Sequence, residues 1–71
     1  MWKKEEFGKT LRRGRKSKGY SQRALGERAG ISERTIRSLE KGQGIPSVAT
    51  VYKLARGLER SVEELLPPQE G

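Results

Sequence analysis

Ser21-Gln-Arg-Ala-Leu-Gly-Glu-Arg-Ala-Gly-Ile-Ser-Glu-Arg-Thr-Ile-Arg-Ser-Leu-Glu40 reads as two short helices joined by one tight corner. Ser21 can accept a hydrogen bond from a free backbone N–H at a helix start, and Gly30 supplies the positive φ that ends that helix without a Cβ clash. Ser32 caps the next helix only two residues later. So sharp a corner brings the helices close together. It accounts for Ala24, Gly26 and Ala29 on the first of them, with Leu25 as the bulky anchor. On the second helix Ile36 and Leu39 share one stripe, while Glu33, Arg34, Arg37 and Ser38 point away from it. A polar, cationic outer face on the second helix of such a pair suits a DNA major groove.

The remaining chain supplies three more helices. The first is expected over about residues 3–18, with Phe7 and Leu11 facing the core and Arg12, Arg13, Lys16 and Lys18 outside. Gly8 and Gly14 each weaken it by roughly 1 kcal/mol relative to Ala. Helices two and three are expected over about residues 22–29 and 33–40. The connector Gln43-Gly-Ile-Pro46 is not helical, because Pro46 drives Ile45 out of the α region. Ser47 caps a fourth helix in which Val48, Val51, Leu54, Ala55 and Leu58 follow the helical period. Ser61-Val-Glu-Glu64 has the form of a capping box for a short fifth helix through Leu66, stopped by Pro67 and Pro68 before a frayed tail, residues 67–71. Tyr20 and Tyr52 are expected at the core edge with wet hydroxyls, whereas Trp2 has no placement from sequence.

Composition narrows the function. The chain has 71 residues and a net charge of +7, which suits a single domain, 1–71, with a thin core. Through Lys41 there are 13 Lys and Arg against 5 Glu, and from Gly42 onward 3 against 4. The basic half is the half with the corner, so a polyanion is its expected partner; the alternative is that the cations only keep a small helical protein in solution. There is no Cys, His or Asp. Metal sites of Cys or His are therefore excluded, no imidazole or thiol is present to activate a nucleophile, and no enzyme, cofactor or metal is expected. No apolar run near 18 residues and no signal-peptide pattern is found, so a cytoplasmic protein without membrane attachment is expected.

Leu11, Arg12, Arg15, Gly19, Ser21-Gln22, Leu25, Gly30-x-Ser32, Ile36, Glu40-x-Gly42-x-x-x-Pro46-Ser47, Leu54-Ala55, Leu58, Ser61 and Leu65-Leu66 together resemble the phage-repressor and Cro-like helix-turn-helix family, the xenobiotic-response-element type. The resemblance covers Leu11 to Leu66. It implies an all-α, compact, lambda-repressor-like domain of five helices, with the helix-turn-helix formed by helices two and three. It further implies sequence-specific binding to double-stranded DNA, usually as a homodimer on a two-fold operator, by a transcriptional regulator acting mainly as a repressor. Other members of the fold act with a protein partner, as antitoxins bound to a toxin or as restriction-system controllers, or bridge proteins without reading bases. Gly26 stands where the family usually has Ala, so Gly26→Ala is expected to be neutral or slightly stabilising. No sensing or oligomerising domain is expected after Pro68.

Position by position, the resemblance places Glu33, Arg34, Arg37 and Ser38 at base-facing positions. Arg34 suits guanine O6 and N7, and Glu33 suits either a cytosine N4 or a favourable charge at the helix start. Thr35 either presses its methyl on thymine or bonds back within its helix. Gln22 matches a position that grips the DNA backbone, and Ser21, Arg23, Ser32, Lys41, Gln43 and Ser47 are further backbone candidates. Arg15 and Glu40 match a pair that ties helix one to helix three. Val62, Leu65, Leu66 and the Pro67-Pro68 end are more apolar than a solvated tail needs; some must cover the core, and the surplus, Val62, Leu65 or Leu66, is the expected two-fold contact.

Overall fold

The computed structural model describes residues 3–66, so Trp2, Pro67, Pro68 and the tail lie outside the described residues. The order of elements is α1 (Lys4–Ser17), α2 (Gln22–Ala29), α3 (Glu33–Glu40), α4 (Val48–Leu58) and α5 (Val62–Leu65), with no strand among the described residues. Four of the five helices start on a serine. Ser21, Ser32, Ser47 and Ser61 each accept the backbone N–H of the residue three further on. Ser61 and Glu64 complete the reciprocal capping box, whose hydrogen bonds pull the Glu64 carboxyl below its ordinary pKa.

Phe7 and Leu11 of α1, Leu25 of α2, Ile36 of α3, Leu54 and Leu58 of α4 and Leu65 of α5 meet in one core. Every helix contributes, so no helix keeps its packing if another leaves.

Glycines mark the closest approaches. At Gly8 a Cβ would lie 2.5 Å from the Leu39 carbonyl oxygen, so α1 crosses the last turn of α3 backbone to backbone. Gly57 of α4 does the same against Ala29, whose Cβ would be 3.0 Å away. Ala29 is thus small where α2 meets α4.

Gly26 reverses an expectation. A Cβ there would lie 2.5 Å from the Ile31 carbonyl oxygen. The oxygen belongs to the corner's backbone and cannot swing aside. Gly26→Ala therefore gains about 1 kcal/mol of helix propensity but incurs an overpacking cost of about 1–3 kcal/mol. The expected net is a loss, read as a lowered melting temperature; an unchanged or raised one would mean that the corner yields.

Three further expectations are corrected. Val48 is 74 % exposed and Tyr52 58 % exposed, so neither belongs to the core or its edge. Val48 stands on the first turn of α4, at the margin of the Val51–Leu54–Ala55–Leu58 stripe, and Tyr52 lies about 100° round the helix from Val51. Tyr20, by contrast, packs on the core and takes the Arg28 guanidinium 4.5 Å above its ring. Helix α5 ends at Leu65, one residue short of Leu66.

Candidate nucleic-acid interface

The outer face of α3 is built by its cap. Ser32 accepts the Thr35 N–H at 3.1 Å and donates its own proton to Thr35 Oγ1 at 2.8 Å. This leaves Glu33, Arg34, Thr35 and Arg37 exposed and Ser38 half-buried on a helix held from beneath by Ile36 and Leu39. The guanidinium of Arg34 makes no hydrogen bond or ion pair among the described residues. That of Arg37 donates through Nη2 to Glu33 Oε2 at 2.8 Å. The Thr35 hydroxyl oxygen is taken up by Ser32, and its methyl is not.

Beside this face runs an open concavity of about 450 Å³, whose walls include Arg34, Ser38, Gln43, Ile45, Ser47 and Thr50. The α3–α4 connector that forms its far wall is fixed at both ends. Gly42 turns with φ of 77°, and the Gln43 N–H donates to the Ser38 carbonyl at 2.9 Å. Ser47 caps α4 and donates to Thr50 Oγ1 at 3.0 Å. The hydroxyls of Ser32 and Ser47 are thus committed both as acceptor and as donor, while Ser21 only accepts, from Ala24 N–H at 3.0 Å. Of the three, Ser21 alone donates no hydrogen bond among the described residues.

Beneath the face lies a charged tie. Arg15 Nε donates to Glu40 Oε2 at 2.6 Å, Nη2 to Oε1 at 3.0 Å, and Nη1 to the Tyr20 carbonyl at 2.7 Å. Its side chain is only 10 % exposed and that of Glu40 only 5 %. The hydrogen bonds to Glu40 raise the Arg15 pKa further above its already high value, so the charge is present at every working pH. Gln22 Nε2 donates to Glu40 Oε1 at 3.2 Å and thereby joins the first turn of α2 to the tie. Its amide is fixed from below, and the first-turn backbone N–H groups around it lie outside the helical ladder. Sequence reasoning placed Gln22 at the backbone and missed its bond to Glu40. The remaining backbone candidates are at the surface: Lys41 and Gln43 are exposed, and Arg23 lies 3.8 Å from Glu27.

The expected two-fold contact is only partly available. Leu65 is 2 % exposed and belongs to the core, so it has no face for a partner; Val62 and Leu66 are half-buried against that core. Among the described residues the large exposed apolar side chains are instead Ile45, Val48 and Tyr52, on the connector and on α4. Spacing carried a signal for Tyr52, which lies off the buried stripe, but not for Val48, which shares the helical period and lies at its margin.

Comparison with known proteins gives a consistent result. The helix-turn-helix family model HTH_3 matches residues 11–65. YazB of Bacillus subtilis, an uncharacterized HTH-type transcriptional regulator, is 36 % identical over 66 residues, covering 93 % of this chain and 96 % of that protein. The crystal structure of the restriction-modification controller protein C.AhdI from Aeromonas hydrophila superposes with a TM-score of 0.85 at 34 % identity, covering 87 % of this chain and 94 % of that one. The biofilm master regulator SinR, solved in complex with DNA, superposes with a TM-score of 0.79 at 35 % identity, over 83 % of this chain and 95 % of that one. No helix among the described residues is long and apolar enough to cross a membrane. With α2 and α3 forming the corner and α3 presenting its polar, cationic face, the chain is a member of the HTH_3 helix-turn-helix family and a DNA-binding transcriptional regulator.

Proposed function

We propose that the protein binds an inverted-repeat operator as a homodimer and represses by occupying promoter DNA in the cytoplasm. The observation that carries this reading is Arg34, a guanidinium without a partner among the described residues, near the start of the exposed face of a helix that is locked to α1 and α2. Arg34 reads a guanine through O6 and N7, with Thr35 and Ser38 beside it, while Ser21, Gln22, Arg23, Lys41 and Gln43 lie along the phosphates. One module of this size buries a surface toward the low end of what specific binders use, so a second copy is needed to multiply discrimination. Ile45, which lines the concavity beside α3, and Val48 and Tyr52 on α4 are exposed and form the surface that a second copy would cover, replacing Leu65 in that role. Two copies meeting there would set their α3 helices in successive major grooves, about 34 Å apart.

Selection of bound duplexes from a random pool tests the reading. A palindromic consensus with two protected half-sites is the expected outcome; one protected half-site at saturation would refute the dimer, and no enrichment would refute sequence reading altogether. On the selected duplex Arg34→Ala is expected to weaken binding by about 1–3 kcal/mol and to relax preference at one base position, with the melting temperature unchanged. Equal weakening on every duplex would instead make Arg34 a phosphate contact. The likeness to C.AhdI over nearly all of that chain favours one second reading, control of a restriction-modification system, which the neighbouring genes would test.

A further inference from the structure

Glu33 is the first residue of α3 and the one carboxylate on the face that carries Arg34, Thr35 and Arg37. In a major groove it would stand between two rows of phosphates. Two features offset that repulsion. The N-terminal end of α3 favours a negative charge, and the Arg37 guanidinium sits against Glu33 Oε2 at 2.8 Å. The pair is half exposed, with side-chain exposures of 49 % for Arg37 and 43 % for Glu33, and the Arg37 bond engages Oε2, leaving Oε1 to accept a further donor.

We infer that Glu33 and Arg37 act as one unit in recognition, a step that rests on α3 being the helix that enters the groove. Arg37 is a positioning residue: it neutralises the carboxylate and fixes its direction, and makes no base contact of its own. Glu33 is the specificity determinant. Its oxygen accepts the N4 amino group of a cytosine, the base whose major-groove edge offers a donor alone. Adenine pairs its N6 donor with an N7 acceptor that repels the second oxygen; guanine and thymine present only acceptors or a methyl. The carboxylate therefore works largely by exclusion, weakening every duplex that lacks cytosine at its position. Arg34, one residue on and unpaired, supplies the attractive contact beside it.

Binding titrations of the wild type, Glu33→Gln, Arg37→Gln and the double variant test this. The duplexes are the selected one, the same duplex with each other base pair at the position Glu33 faces, and one of mixed sequence, all at a single salt concentration. An exposed pair of this kind adds little to stability, so all variants should melt like the wild type. Glu33→Gln is expected to tighten binding to the mixed duplex about 3- to 10-fold by removing a charge the phosphates repel. It should also erase a cytosine preference of about 5- to 150-fold. Arg37→Gln is expected to lower the cytosine preference with Glu33 present and to leave base preference unchanged in the Glu33→Gln background, where losing a cation weakens every duplex alike. An equal change of base preference in both backgrounds would make Arg37 an independent base contact and overturn the inference, as would a cytosine preference that survives Glu33→Gln. A wild type that binds all duplexes alike would refute the recognition-helix reading itself, and this inference with it.

Discussion

Gly8→Val is expected to leave the domain largely unfolded at room temperature. An added Cβ at Gly8 would stand 2.5 Å from the Leu39 carbonyl oxygen, 2.9 Å from that of Glu40 and 3.1 Å from the Glu40 carbonyl carbon. All three are backbone atoms of one turn, so no rotamer change relieves the contact. Nor can α3 retreat as a body, because Glu40 is tied to Arg15 two turns further along the same face of α1 and Leu39 is part of the core. Ordinary overpacking costs about 1–3 kcal/mol, and valine adds three carbons, a Cβ with two methyl groups, to a site that has no room for one. A domain of this length has about 4–10 kcal/mol of stability in total. Even Gly8→Ala should lower the melting temperature, although alanine returns about 1 kcal/mol of helix propensity. Gly14→Ala is the control within the same helix. There the added Cβ meets only Leu58 Cδ1, at 3.4 Å, and the propensity gain should survive. Circular-dichroism melts of the three variants check the argument, and a Gly8→Ala protein as stable as Gly14→Ala would mean that α1 does not pass so close to α3.

What the sequence makes legible here is what its chemistry decides locally. The starts of α2, α3, α4 and α5 could be read because Ser21, Ser32, Ser47 and Ser61 each satisfy an amide within three residues, whatever the rest of the chain does. The corner could be read because Gly30 adopts φ of 71° as the Cα geometry of the turn requires. Close approach between distant elements leaves a fainter trace. Gly8 and Gly57 look in sequence like weak points in helices, and their partners, Leu39 with Glu40 and Ala29, are far along the chain. A clue was available at Gly8, since it lies on the same face as Leu11 and Arg15, and a glycine on a buried face asks what replaces its side chain. The end of α4 leaves no such clue. Glu59 closes that helix with φ of 57°, a left-handed position where sequence alone leads one to look for glycine. On the candidate interface, residue types and helix were readable, but the division of labour was not. The acid-before-base spacing of Glu33 and Arg37 suits an ion pair, and only the folded geometry separates them from Arg34, which stands alone.

Arg15→Ala is expected to be the most damaging single change among the polar residues, at about 3–5 kcal/mol, because it leaves the carboxylate of Glu40 buried without its cation. Gln22 Nε2, at 3.2 Å, would be that carboxylate's remaining side-chain donor, and the Tyr20 carbonyl would lose the Arg15 Nη1 proton that reaches it at 2.7 Å. Arg15→Lys should recover only part of the loss. An ammonium is one point of charge, whereas the guanidinium serves both Glu40 oxygens and the Tyr20 carbonyl at once. The informative variant is the double one, Arg15→Met with Glu40→Leu, which removes both charges and fills the space with apolar atoms. Urea unfolding should show most of the stability restored, since a buried pair contributes little beyond what hydrophobic residues of its size would. DNA affinity should not recover with it. Gln22 would have lost the carboxylate that fixes its amide at the head of α2, and the tie that sets α3 against α1 would be gone. Full recovery of affinity along with stability would show that the tie serves folding alone; stability without affinity is the result expected if a buried ion pair is kept here for the sake of the surface above it.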